Sequence, residues 1–100
     1  MFFLWDDWNE GHVGKHDIDP DEAEFVVRHA KRPYPRRTSS VKWLVKGRTR
    51  AGRLIQVIYV MRDARQIDIE TLSLPEKVAL EGNELAIYII HARSLRRGEG

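Results

Sequence analysis

The chain has 100 residues, 42% of them hydrophobic, with no apolar run of transmembrane length, which describes a single soluble domain with a modest core and excludes a multidomain machine. It has no cysteine, which excludes a disulfide framework, thiolate metal ligands and a cysteine nucleophile. The net charge of +2 is a cancellation: residues 1–24 hold eight acids against Lys15, residues 25–62 hold eleven Lys and Arg and no acid, and residues 63–84 hold six acids and two bases. A basic stretch that pure suits a polyanion or an acidic partner, the plainer alternative being a solvated face.

The opening Met1-Phe2-Phe3-Leu4-Trp5 is followed at once by Asp6 and Asp7. It has neither the basic leader nor the longer apolar region of a secretory signal, so a cytoplasmic home is expected. Phe2 to Trp5 reads as a short strand. Asp7 then acts as an acidic N-cap with Glu10 at the third helical position, starting a helix that Gly11 and Gly14 keep short, ending near His16. Asp19-Pro20-Asp21-Glu22 is a stronger start, with an acid at the cap, proline at the first helical position and acids in the first turn. Ala23, Val26, Val27 and Ala30 recur at helical spacing until Pro33 and Pro35 stop the helix.

Residues 33 to 40 read as a basic loop. Val41, Trp43 and Val45 alternate with Lys42, Leu44 and Lys46, the pattern of a half-buried strand. After an Arg-rich turn from Gly47 to Gly52, Leu54 to Met61 is apolar almost throughout, as expected of a central strand covered on both faces and paired antiparallel with its predecessor. Gln66 to Glu70 is expected to form a short strand through Ile67 and Ile69. Ser73-Leu74-Pro75-Glu76 opens a brief helix ended by Gly82, and Leu85 to His91 is another buried strand. The order predicts an α+β domain: a small antiparallel sheet of three to four strands with two N-terminal helices packed on one face.

His12 and His16 stand four apart, a spacing that presents two imidazoles on one helical face, but Val13 replaces the glutamate of a zinc-protease motif and no third ligand is placed. No metal or cofactor is expected. His16, after Lys15, is a histidine at the end of a helix, a residue type whose ordinary pKa of about 6.5 suits proton transfer near neutrality. No serine stands in a Gly-x-Ser-x-Gly elbow, and Gly47 and Gly52 match no phosphate-cradling loop. Arg48, Arg50 and Arg53 gather at the hairpin turn, and Arg93 follows a buried strand. Guanidinium pairs its donors with phosphate oxygens, so such residues suit phosphodiester binding and stabilisation of charge at a scissile phosphorus. Trp5, Trp8 and Trp43 are candidates either for the core or for stacking on unpaired bases.

Taken together, Trp5-Asp6, Asn9, Lys15-His16, Ile18, Glu22-Ala23, Gly47-Arg48-Thr49, Gly52-Arg53-Leu54, Ala92-Arg93 and Glu99 resemble the BrnT family of ribonuclease toxins. The resemblance implies a RelE-like α+β fold and RNA cleavage without a cofactor. It also implies neutralisation by a small DNA-binding antitoxin of the ribbon-helix-helix type. Carried over, the candidate site is Lys15, His16, Arg53 and Arg93, with Glu99 as a helper in proton transfer; apart from the resemblance, Lys46, Arg48 and Arg50 of the basic hairpin join Lys15 as RNA-binding candidates, a solubilising turn being the plainer alternative for Arg48 and Arg50. Departures from the family pattern include Asp17, which stands where a glycine commonly follows Lys-His, and residues 64–84, an acidic insertion expected to be able to cover the site.

Three functions compete. In the leading one a metal-independent endoribonuclease uses the RNA 2′-hydroxyl as nucleophile, with His16 transferring protons and Arg53 and Arg93 stabilising the phosphorane. The alternatives are a non-catalytic nucleic-acid or protein interaction module and a metal-dependent hydrolase built on His12 and His16.

Overall fold

The structure is a computed structural model that describes residues 1–96. In chain order it contains β1 (Phe2–Phe3), α1 (Asp7–Gly14), α2 (Pro20–Arg28), β2 (Arg36–Arg37), β3 (Lys42–Arg48), β4 (Leu54–Asp63), α3 (Leu74–Leu80) and β5 (Leu85–Ser94). The architecture is α+β, as expected, but the sheet is larger and mixed, with five strands in the order β1-β5-β4-β3-β2. β1 pairs parallel to β5, Phe2 opposite Ala86 and Phe3 opposite Ile87. β2 arises inside the expected basic loop and pairs antiparallel with β3, Arg36 opposite Leu44. Both are two-residue edge strands; β1 falls within the strand expected at Phe2 to Trp5, whereas β2 is too short to carry the alternation that marks a strand in sequence.

Local side-chain hydrogen bonds set where the helices begin. The cap of α1 is Asp6, one residue before the expected Asp7: its Oδ1 accepts from the Asn9 N–H at 3.1 Å, and Asn9 Oδ1 accepts from the Asp6 N–H at 2.7 Å. Asn9 Nδ2 also donates to the Leu4 carbonyl at 3.0 Å, so this fully buried amide is satisfied. α2 starts at Pro20 behind Asp19, and α3 starts behind Ser73, whose hydroxyl accepts from the Glu76 N–H. The expected strand at 66–70 is absent. Asp63 and Asp68 instead accept from the backbone N–H two residues ahead, at Arg65 and Glu70, and coil the chain into 3-10 turns at Ala64–Gln66 and Ile69–Thr71.

α2 packs on β3 and β4 through Ala23, Val26 and Val27, which meet Val45, Ile55 and Val57 in the core with Val13 and Ile18. Gly47 lets the helix come close, since a Cβ there would stand 3.3 Å from Val26 Cγ1. α1 runs beside β5, and Trp5 Nε1 donates to Glu24 Oε2 at 2.7 Å, tying the N-terminal segment to α2. β4 is central but is not covered on both faces. Ile55, Val57 and Tyr59 are buried on the helix side, whereas Leu54, Gln56, Ile58 and Val60 are partly exposed on the other.

The acidic segment 64–84 joins the Asp63 end of β4 to the Leu85 end of β5. Leu72, with Ile67 and Leu80 beside it, packs there on Phe2 and Ala86. Arg53 and Arg93 lie at the opposite end of that ten-residue hairpin, so the insertion does not cover them. Among the described residues no helix is long and apolar enough to cross a membrane.

Candidate functional site

Residues directly opposed in a sheet share a face. The register pairs Lys42 with Val60, Lys46 with Gln56, Gln56 with Arg93, and Ile58 with both Leu44 and His91. The face turned away from α2 therefore carries Lys42, Lys46, Arg48, Arg62, His91 and Arg93 around an apolar strip of Leu44, Ile58 and Val60, and the 64–84 segment packs on its Ala86 end. No acidic residue occupies a position on this face in β3, β4 or β5. A bulge between Ile58 and Tyr59 shifts the register, so Tyr59 pairs with Ile89 and Val60 with Tyr88. Tyr88 and His91, three apart in sequence, thus share the open face, which simple alternation forbids.

α1 brings a second row to this margin. Asn9 and Val13 point into the protein, while Trp8 and His12 lie four apart along the neighbouring stripe and His16 follows in the turn after the helix. The His16 ring meets the His91 ring edge-on with centroids 5.2 Å apart, and Trp8 lies parallel to Tyr88 at 6.2 Å. His16 is exposed; His91 is partly buried. Burial, and then the nearby His16, Arg93 and His12, push the His91 pKa below its ordinary 6.5 and favour the neutral imidazole. Burial, and then its bond to the Asp6 carboxylate, push the Tyr88 hydroxyl up to about 12. That hydroxyl stays protonated and donates to Asp6 at 2.9 Å.

Arg53 sits differently from Arg93. It lies with Ser94 and Ile55 on the helix side, where Nε donates to Ser94 Oγ at 2.7 Å, Nη1 to the Asp17 carbonyl at 2.6 Å and Nη2 to the His16 carbonyl at 3.3 Å. Its own N–H donates to the buried Thr49 hydroxyl at 3.1 Å. The guanidinium thus clamps the turn after α1, and that turn needs a clamp because Asp17 has φ +56°, a conformation costly for any residue with a Cβ. Arg53 reaches the backbone of His16; Arg93 shares a face with the imidazole that the His16 ring touches. Sheet faces, not sequence distance, separate the two arginines.

The remaining sequence candidates disperse. Lys15 is the exposed C-cap of α1. Lys46 is on the open face, in the row with Gln56 and Arg93. Arg48 Nη1 donates to the Gly52 carbonyl at 2.9 Å and closes its own hairpin, and Arg50 lies over Phe25 at 4.8 Å on the α2 side. Arg93 Nη1 donates to the Ser94 carbonyl at 3.3 Å. Glu99 lies outside the described residues. His12 stacks on Trp8 at 4.0 Å, and among the described residues no group of three or more His, Asp or Glu side chains is arranged to hold a metal ion.

His91 is the residue that sequence reasoning passed over. Its signal was available, because it stands two before Arg93 in a strand and must share that arginine's face. What could not be read was the partner His16, brought against it from the far end of the chain. No family model, curated protein or solved structure matches the chain.

Proposed function

We propose that this protein is a metal-independent endoribonuclease of the toxin type. The observation that carries the reading is the His16–His91 ring pair, 5.2 Å apart, beside Arg93 on a basic sheet face. Two imidazoles within reach of one phosphodiester supply both proton transfers that RNA cleavage requires. His91, held toward its neutral form, takes the proton of the 2′-hydroxyl as its oxygen attacks the adjacent phosphorus. His16, exposed at the end of α1, protonates the departing 5′-oxygen. The P–O5′ bond breaks, leaving a 2′,3′-cyclic phosphate and a 5′-hydroxyl. Arg93 balances the charge that builds on the phosphorane, Lys46 and Lys42 hold the flanking backbone, and Arg53 positions His16 through its carbonyl.

The resemblance to the BrnT toxins supports the same reading and adds a ribbon-helix-helix antitoxin as the neutralising partner. Incubating purified protein with single-stranded RNA in EDTA tests the activity. Cyclic-phosphate ends are expected, and intact RNA at micromolar protein would overturn the catalytic reading. Binding that weakens steeply with salt but yields no product would leave the acid-free basic face as a nucleic-acid-binding module.

A further inference from the structure

The proton-transfer pair occupies one end of the α1–β5 margin, and the other end is aromatic. Trp8 leaves 52% of its surface to solvent, unlike Trp5 and Trp43, which pack against the core. It is nonetheless held in place. His12 stacks on its ring at 4.0 Å with 23° between planes, and Tyr88 lies at 6.2 Å with 19°. Tyr88 is itself fixed by Asp6 at its hydroxyl and by Arg62, whose Cζ stands 3.7 Å over the ring. The result is a set of near-parallel rings, with Arg62 over Tyr88 and Trp8 half exposed to solvent between Tyr88 and His12 as its ring partners.

We infer that the Trp8–His12 pair is a stacking platform for an unpaired nucleobase, an inference that rests on the RNA-cleaving reading above. Three observations favour a base over other flat or apolar ligands. The planes stand next to the basic face, with Arg62 belonging to both. Trp8 stands roughly 9 Å along the helical rise from Gly14, the last residue of α1, and His16 lies in the turn just beyond, so a base on Trp8 belongs to a nucleotide near, but not at, the phosphate met by His16 and His91. Of the neighbouring acids, Asp7 and Glu10 line the cleft toward the acidic insertion, of about 740 Å³, which neither Trp8 nor His12 lines, and the Asp6 carboxylate is engaged by the Tyr88 hydroxyl. Stacking tolerates any base, because each has a π-face, and it demands a single strand.

The test is the affinity of a fluorescent single-stranded RNA whose 2′-oxygens are methylated to prevent cleavage. Trp8→Leu keeps apolar bulk against Tyr88 but removes the aromatic plane, and should weaken binding by about 5- to 150-fold. Trp8→Phe should recover most of the loss. The slope of affinity against salt should stay that of the parent, because no phosphate contact is removed, and duplex RNA of the same sequence should bind both proteins equally. Unchanged single-strand affinity in Trp8→Leu, or an equal loss for duplex, overturns the platform while leaving the ribonuclease reading standing. Failure of the parent protein to bind single-stranded RNA overturns both.

Discussion

Replacing Arg53 by alanine should unfasten the turn that carries His16. The side chain spends short, charge-assisted bonds on Ser94 Oγ at 2.7 Å and the Asp17 carbonyl at 2.6 Å, and a long one on the His16 carbonyl at 3.3 Å. Glu22 stands at the 4.0 Å limit with both partners about one-third exposed, and adds little. The freed Ser94 hydroxyl and Asp17 carbonyl regain water, so each short bond is worth about 1 kcal/mol net and the clamp about 2 kcal/mol. For a domain of this size that corresponds to a fall in Tm of roughly 8–16 °C. Released from Arg53, the left-handed Asp17 has reason to relax, which moves His16 off His91 and lowers RNA cleavage as well. Thermal unfolding followed by circular dichroism, run beside the cleavage assay on Arg53→Ala and Arg53→Lys, reads both effects. Lysine keeps the charge but not the fork, so it should fall between. An unchanged Tm with abolished cleavage would refute the clamp and assign Arg53 to the RNA itself.

Asp17→Gly should raise Tm by a few degrees, since glycine adopts the φ of +56° without a Cβ penalty; a lower Tm would mean that the turn depends on the aspartate side chain. Asn9→Ala removes a buried amide and leaves the Leu4 carbonyl without its donor, for a loss of about 2–4 kcal/mol measurable by denaturant unfolding. His16→Ala and Arg93→Ala should each cut cleavage by about 10²- to 10⁴-fold while His16→Ala keeps the parental Tm, given its exposure. For His91 the folded pKa lies below the ordinary 6.5, so the unfolded chain takes up its proton first as pH falls. Stability is therefore lost as pH drops from about 6.5 through the lower folded value and levels off beneath it. A Tm profile from pH 8 to 5 should show that decline, and His91→Gln should flatten it.

Much of the local structure was legible because the signals are local. Asp19-Pro20 and Ser73-Leu74-Pro75-Glu76 start helices where expected, since a cap needs only residues within one turn. The one-residue error at α1 has the same scale: Asp6 and Asp7 are both competent caps, and Asn9, not Glu10, supplies the returning bond because its amide also reaches Leu4. The strand expected at 66–70 failed because Asp63 and Asp68 satisfy nearby backbone donors and compete with pairing.

The site divides along the same line. Composition and spacing alone determined an acid-free basic centre, a histidine at the end of the first helix and arginines at strand ends, because charge and periodicity are properties of neighbouring residues. Which of these meet was decided only in three dimensions. A bulge in β5 turned Tyr88 and His91 to one face, α1 docked beside that strand to bring His16 against His91, and opposite sheet faces parted Arg53 from Arg93. Register and helix docking are set by packing among residues up to some eighty positions apart, as Tyr88 and Asp6 are, and no window along the chain contains both partners.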